Sequence, residues 1–341
     1  MIKDRNIADD AQIAMHKVLG AFYPQAHNTY ALYVDYDNGN DGDTGRSPKH
    51  ALQTIQKAVD KAARGWTIFV FSRYWGAVQT DPYNYAETIS IPLAKSNLRI
   101  IGVPCGRTQG GLPQVKINTG STALLTINAP GCLIANMGFN GINSTGGGIL
   151  MDCDAGATKT AFGTAIYNCH FKNCVGSTAT NAATGGAIMW SANGGSWQVH
   201  IKGNRFYKNV GDVVLIGTSN SRPQDVIIED NVFSGPAANT DCNLYLAGGS
   251  GMNGVIIKDN FFTAMPALGG TNDRFMDLTG CVGMLANNYF ATTVDPALTE
   301  LTFAAAGTAA KVPSTVFMAG NQGEVQATGN TSNHAAIGRY A

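Results

Sequence analysis

The chain has 341 residues, with 23 Lys and Arg against 23 Asp and Glu, and a formal net charge of zero. Only 13% of residues are charged, about half the usual share, which argues against a nucleic-acid binder held by counterion release from a basic stripe. A hydrophobic content of 44% is enough for a core, and 41 glycines among short apolar runs point to β-structure cut by tight turns.

The chain opens on Ile7, Ala11, Met15, Val18 and Phe22, spaced as one stripe of a helix. Asp9 and Asp10 sit near its start, where carboxylates favour the helix dipole. A helix this short is marginal alone, so the stripe is expected to dock on something. Pro24 and residues 25–29 read as a hinge, making 1–29 a docking segment. No apolar h-region opens the chain and no run approaches 18 apolar residues, so neither an export signal nor a membrane span is expected.

Residues 30–97 read as a cap and first strands. Tyr30–Asp35 predicts a strand, and Asp35–Gly45 a turn loop. Counted from Asp37, that loop misses calcium-loop spacing, since Gly39 stands at the third position and Pro48 at the twelfth. Ser47 and Pro48 predict the start of a helix with Leu52, Ile55, Val59 and Ala62 on its apolar face and Gly65 at its end. Residues 66–71 predict a buried strand, 72–86 an irregular excursion, and 87–91 extended chain again.

From about residue 98 to 330 a repeat takes over. The motif apolar-x-x-Asn-x-Phe ends at Phe139, Phe171, Phe206, Phe233, Phe262 and Phe290, in steps of 27–35 residues. A weaker copy runs over 317–323. A period in this range means stacked supersecondary units, and alternation sends Ile and Phe to one side and Lys, Glu or Asp to the other. An Asn can tolerate a left-handed bend and bond its neighbour in the next coil. The solution is a parallel β-helix of about eight coils, roughly 40 Å long at strand spacing. Residues 331–341 are left as a C-terminal tail.

The segments Tyr33–Asp35, Gly39–Gly42, Gly45–Pro48, Gln53–Val59 and Gly65–Val70 together resemble the N-terminal cap of right-handed, pectate-lyase-like parallel β-helix proteins. Trp66 stands where those proteins usually carry Asp, and Tyr85–Ile89 resembles their Gly-x-Tyr-x-Glu segment after an insertion. The resemblance, over about residues 30–330, implies an all-β fold, a right-handed parallel β-helix with an N-terminal cap helix, to which the stripe of residues 7–22 adds a short docking helix. It does not imply an activity. Residues 6–17 resemble the segment that opens many bacteriophage virion proteins, which implies a place on a phage particle.

Carbohydrate-active β-helix proteins carry recognisable constellations. Arg222-Pro223 and Asn239–Asp241 are fragments of them, without the companion residues. General acid/base cleavage of a glycan needs two carboxylates about 5–10 Å apart. The candidates are Asp152 with Asp154 and Asp273 with Asp277, each also readable as a solvated turn carboxylate. Gly249–Gly254 matches G-x-G-x-x-G but precedes a strand, so it reads as a coil turn. His170 and His200 lie about one coil apart without a recognisable third ligand, and the seven cysteines show no C-x-x-C pair and read as small buried thiols.

These readings converge on a non-enzymatic virion surface protein, a head decoration or short tail spike, docked through Ile7, Ala11, Met15, Val18 and Phe22. The alternative is a virion-borne polysaccharide depolymerase. No metal, cofactor, nucleic acid or membrane partner is expected. The expected partners are two further copies in a homotrimer, other virion proteins and a host surface polysaccharide. The Ala- and Thr-rich stretch 292–311 is the candidate surface between subunits.

Overall fold

The computed structural model describes residues 30–73, 84–105, 111–154, 158–178, 181–191, 196–216, 222–234, 242–263, 274–292, 303–307, 309–327 and 331–337. The docking stripe Ile7–Phe22 lies outside these residues, as do Asp273, Asn239–Asp241 and most of 292–302.

Among the described residues three sheets run the length of a parallel β-helix, with ten, ten and nine strands. One coil shows the pattern: Leu133–Ala135 lies in the first sheet, Gly138–Asn140 in the second and Ile149–Met151 in the third. The next coil repeats it with Ala165–Tyr167, His170–Lys172 and Ile188–Trp190. Each strand pairs in parallel with its counterpart one coil on, at matching motif positions.

That register stacks like on like. Ile100, Ile134, Ile166, Ile201, Ile228 and Ile257 form one buried inward column on the first sheet. Phe139, Phe171, Phe206, Phe233, Phe262 and Phe290 form another on the second sheet, with successive ring centroids 4.6–5.2 Å apart and planes within 15°. Offset or parallel ring packing at this spacing adds to the area buried by each Phe.

The repeated Asn divides into two jobs. In Asn136, Asn168 and Asn287 it occupies the left-handed corner between first and second sheets, at φ of 52–55°. In Asn204, Asn231, Asn260, Asn288 and Asn321 it stands one position later and is buried. These five form a ladder. The backbone N–H and side-chain amide of Asn231 both donate to Oδ1 of Asn260, at 3.0 Å each, and the amide also donates to the carbonyl of Ile201. Asn204, Asn260 and Asn288 repeat these contacts with the coil above. The left-handed corner of the Asn204 coil falls to Gly203, where an added Cβ would stand 2.4 Å from Oδ1 of Asn168.

The cap departs from the sequence reading. Pro48–His50 is a single 3-10 turn, and the α-helix begins only at Ile55, running to Lys61 with Thr54 as its N-cap. The chain between them is pulled into extended form because Leu52 exchanges backbone bonds with Tyr33 and Asp35, bridging the edge of the first sheet. Asp41 holds the turn into the helix by accepting from the backbone of Gln53 and Thr54 and from the Thr54 hydroxyl. Glu87 accepts from the N–H groups of Ile55 and Gln56, 2.8 Å each, where the helix dipole favours a carboxylate. The predicted apolar face, Leu52, Ile55, Val59 and Ala62, is buried over the first coil. At the far end Asn321–Ala327 pairs antiparallel with Thr331–Ile337, so residues assigned to a tail form a strand.

Candidate functional site

The described carboxylates singled out from sequence, Asp152, Asp154 and Asp277, are tied down by hydrogen bonds and ion pairs. Asp152 pairs with Lys159 at 2.8 Å. Asp154 accepts from the Thr158 and Lys159 backbone and from the Thr158 hydroxyl, and that hydroxyl bond is the leading cause holding its pKa below the ordinary value. Asp277, nearly buried, accepts from the Thr279 hydroxyl at 2.6 Å and pairs with Lys311 at 3.2 Å. Its proposed partner Asp273 lies outside the described residues.

The two histidines do not meet. His170 is in the second sheet between Gly138 and Arg205, whereas His200 is in the first sheet between Ala165 and Ile227. Burial, with a contribution from the Arg205 charge, lowers His170 to about 4. The G-x-G-x-x-G match is a coil turn with Gly249, Gly251 and Gly254 at positive φ, leading into the strand Asn253–Lys258. Six of the cysteines are buried, and burial pushes the thiols of Cys132, Cys169, Cys174 and Cys281 up to about 12, so they serve as apolar filling.

A denser polar group gathers on the outer face of the first sheet. Strand alternation and register place Tyr167, Lys202, Glu229 and Lys258 in one outward column, with His200 beside them. Glu229 accepts from Lys202, Lys258 and His200 at 2.8, 2.8 and 2.9 Å. Burial acts to raise its pKa, but these three bonds together outweigh that and hold it at about 2. The Tyr167 hydroxyl lies 2.9 Å from Nδ1 of His200.

The ionised Glu229 fixes the direction of this chain. A carboxylate only accepts, so in the neutral form of His200 it is Nε2 that carries the proton and donates to Glu229. Nδ1 is then bare and accepts the Tyr167 proton, leaving the phenol oxygen with lone pairs to accept a further bond. Burial raises the Tyr167 pKa, which keeps it a phenol. Beside this chain is a shallow pocket of about 350 Å³, over the starts of the strands Ala165–Tyr167, His200–Lys202 and Ile227–Glu229. Gln198 and Asp225 line it from successive left-handed corners, at φ of 56° and 55°.

The sequence reading did not single out Tyr167, Glu229 or the pocket. Laying the repeat units over one another would have put Tyr167, Lys202, Glu229 and Lys258 in one outward position of alternating sign. The neighbour relations across coils are what turn that position into a bonded group.

No known family profile and no curated protein matches the chain in sequence. Among solved structures it is similar to a pectin methylesterase from carrot, at 12% identity and a TM-score of 0.41, covering 86% of this chain and 82% of that one. It is similar to pectate lyase II from Xanthomonas campestris, at 11% identity and a TM-score of 0.42, covering 82% and 79%. It is also similar to the ORF18 protein of Geobacillus virus E2, at 17% identity and a TM-score of 0.40, covering 85% of this chain and 52% of that one.

Proposed function

We propose that this protein is a non-enzymatic rod on the surface of a bacteriophage particle, a head decoration or short tail spike attached through residues 1–24. The observation that carries the non-enzymatic reading is the commitment of its candidate carboxylates. Asp152, Asp277 and Glu229 are each paired with lysine, and Asp154 is bonded to its own turn. A general acid for glycoside cleavage needs a raised pKa. The two described carboxylates with raised values, Glu87 and Asp212, are instead bonded to helix amides and to two asparagine amides. The particle assignment rests on the likeness of residues 6–17 to the opening segment of virion proteins.

A uniform core favours the same reading. The Asn ladder and Phe stack repeat the same contacts coil after coil, which suits a stiff spacer. The depolymerase alternative has one observation in its favour, the Tyr167–His200–Glu229 chain beside a pocket. Incubation with host capsule and lipopolysaccharide decides between them. No new reducing ends or unsaturated products are expected, and product formation abolished by Tyr167→Phe would replace this reading with the alternative.

A further inference from the structure

We propose that the pocket on the outer face of the first sheet binds an uncharged saccharide unit, with Trp197 and Phe162 as an aromatic platform at its rim. This concerns the isolated rod and does not depend on the particle assignment.

The pocket offers hydrogen-bonding groups in a fixed arrangement. When His200 is neutral and donates to Glu229, Tyr167 donates its proton to His200 and its phenol oxygen is left as an acceptor for a ligand. Gln198 adds both a donor and an acceptor, and Asp225 two acceptor oxygens. Ala165 and Ile227 supply an apolar floor on either side of His200. About 350 Å³ is at the low end of small-molecule sites, enough for a single sugar ring whose chain continues along the open face.

Two exposed aromatic residues adjoin the pocket lining along the chain. Phe162 and Trp197 immediately precede the lining residues Gly163 and Gln198 in successive coils, and Gly163 donates its N–H to the Trp197 carbonyl at 2.7 Å. Their ring centroids are 6.4 Å apart, and the two rings remain 38% and 44% exposed. An indole left this open at a corner of the rod serves no core. Apolar ring faces beside acceptors suit a ligand with C–H patches on one side and hydroxyls round its edge, which is the chemistry of a pyranose.

Charge decides the class of sugar. Among the described residues no Lys or Arg lines the pocket, and Asp225 does. The nearby cations, Lys202 and Lys258, are both committed to Glu229. A uronate or sialate carboxylate would therefore meet Asp225 with no Lys or Arg among the described lining residues to pair it, a cost that a neutral hexose or N-acetylhexosamine does not carry.

The test uses the full chain titrated with hexamers of β-glucan, dextran and chitin as neutral probes and a galacturonate hexamer as the acidic one, read by calorimetry and tryptophan fluorescence. Saturable binding of at least one neutral hexamer is expected, at least tenfold tighter than the acidic one. Trp197→Ala should weaken it at least tenfold with an unchanged thermal midpoint, since this side chain lies outside the core. Asp225→Asn should narrow the gap in affinity between the neutral and acidic probes. Absence of binding to every neutral hexamer, tighter binding of the galacturonate, or an unaffected Trp197→Ala protein would each overturn the proposal.

Discussion

Single residues in this rod carry unequal duties under the same letter of the repeat. Asn231 and Asn287 come from neighbouring positions of one motif, yet only Asn231 is buried in the ladder. Asn231→Ala removes the acceptor of the buried Asn204 N–H and of one Asn204 amide hydrogen. Each orphaned donor costs about 1–3 kcal/mol. Asn287→Gly removes a side chain from a left-handed corner that glycine fills at no steric cost, and is expected to stay within about 1 kcal/mol of the parent. Urea unfolding of the two variants measures the contrast, and equal losses would contradict the division of duties.

Asp212 gives a residue-scale prediction in pH. Its buried carboxylate accepts from Asn209 and Asn243, at 2.9 and 2.7 Å. Burial pushes it up from 3.8 to about 7 in spite of those bonds. A raised folded pKa means the native state holds the proton more tightly, so this contribution is complete below pH 3.8 and is lost as pH rises through about 7. Glu229 works the other way. Held at about 2 against an ordinary 4.5, its pairing contributes above pH 4.5 and is lost as pH falls toward 2. Asp212→Asn is expected to flatten the decline of stability between pH 4 and 7 relative to the parent, as read by thermal midpoints across that range. Parallel slopes would contradict the assignment.

At the scale of elements, the second sheet owes its order to the Phe column. Phe233 lies between Phe206 and Phe262 with centroids at 4.9 and 4.6 Å. Phe233→Ala is expected to cost about 3–5 kcal/mol, measured by denaturant unfolding, because the neighbouring coils are fixed by their own ladders and cannot collapse into the void. The cap helix illustrates the opposite balance. Its seven residues are too few to be stable alone, and Asp41 and Glu87 hold its first turn from outside. Their positions explain why the helix starts at Ile55. Ser47 and Pro48 are good helix openers, but the strand edge at Tyr33 and Asp35 claims the backbone of Leu52 before a helix can pass through it.

At the scale of the whole molecule, the proposed homotrimer and the proposed anchor make separate predictions. Exposed apolar residues of the described chain include Val282 and Phe317 at 40% and 67% exposure, both toward the C-terminal end of the first sheet. Such residues are the natural material of a subunit contact. Sedimentation is expected to show a trimer, shifted to monomer by Phe317→Glu, and a stable monomer at micromolar concentration and in the particle would count against it. Removal of residues 1–24 is expected to leave the thermal midpoint in place and abolish incorporation into particles. A sharp fall in the midpoint would instead assign the segment to the cap.

The sequence by itself determined the β-helix, its period and its inward columns. Ile and Phe recur at matching places in five successive coils, and an in-register parallel stack buries them all at once. Alternation within each strand then sends Lys, Glu or Asp to the side opposite Ile and Phe, which puts Lys202, Glu229 and Lys258 outward. Only the tertiary structure decided which Asn bends and which Asn bonds, where the cap helix begins, and that Tyr167, His200 and Glu229 form one hydrogen-bonded chain. The physical reason is the same in each case. These outcomes depend on contacts between residues about thirty positions apart, where a shift of one position exchanges a corner for a ladder rung or an inward face for an outward one.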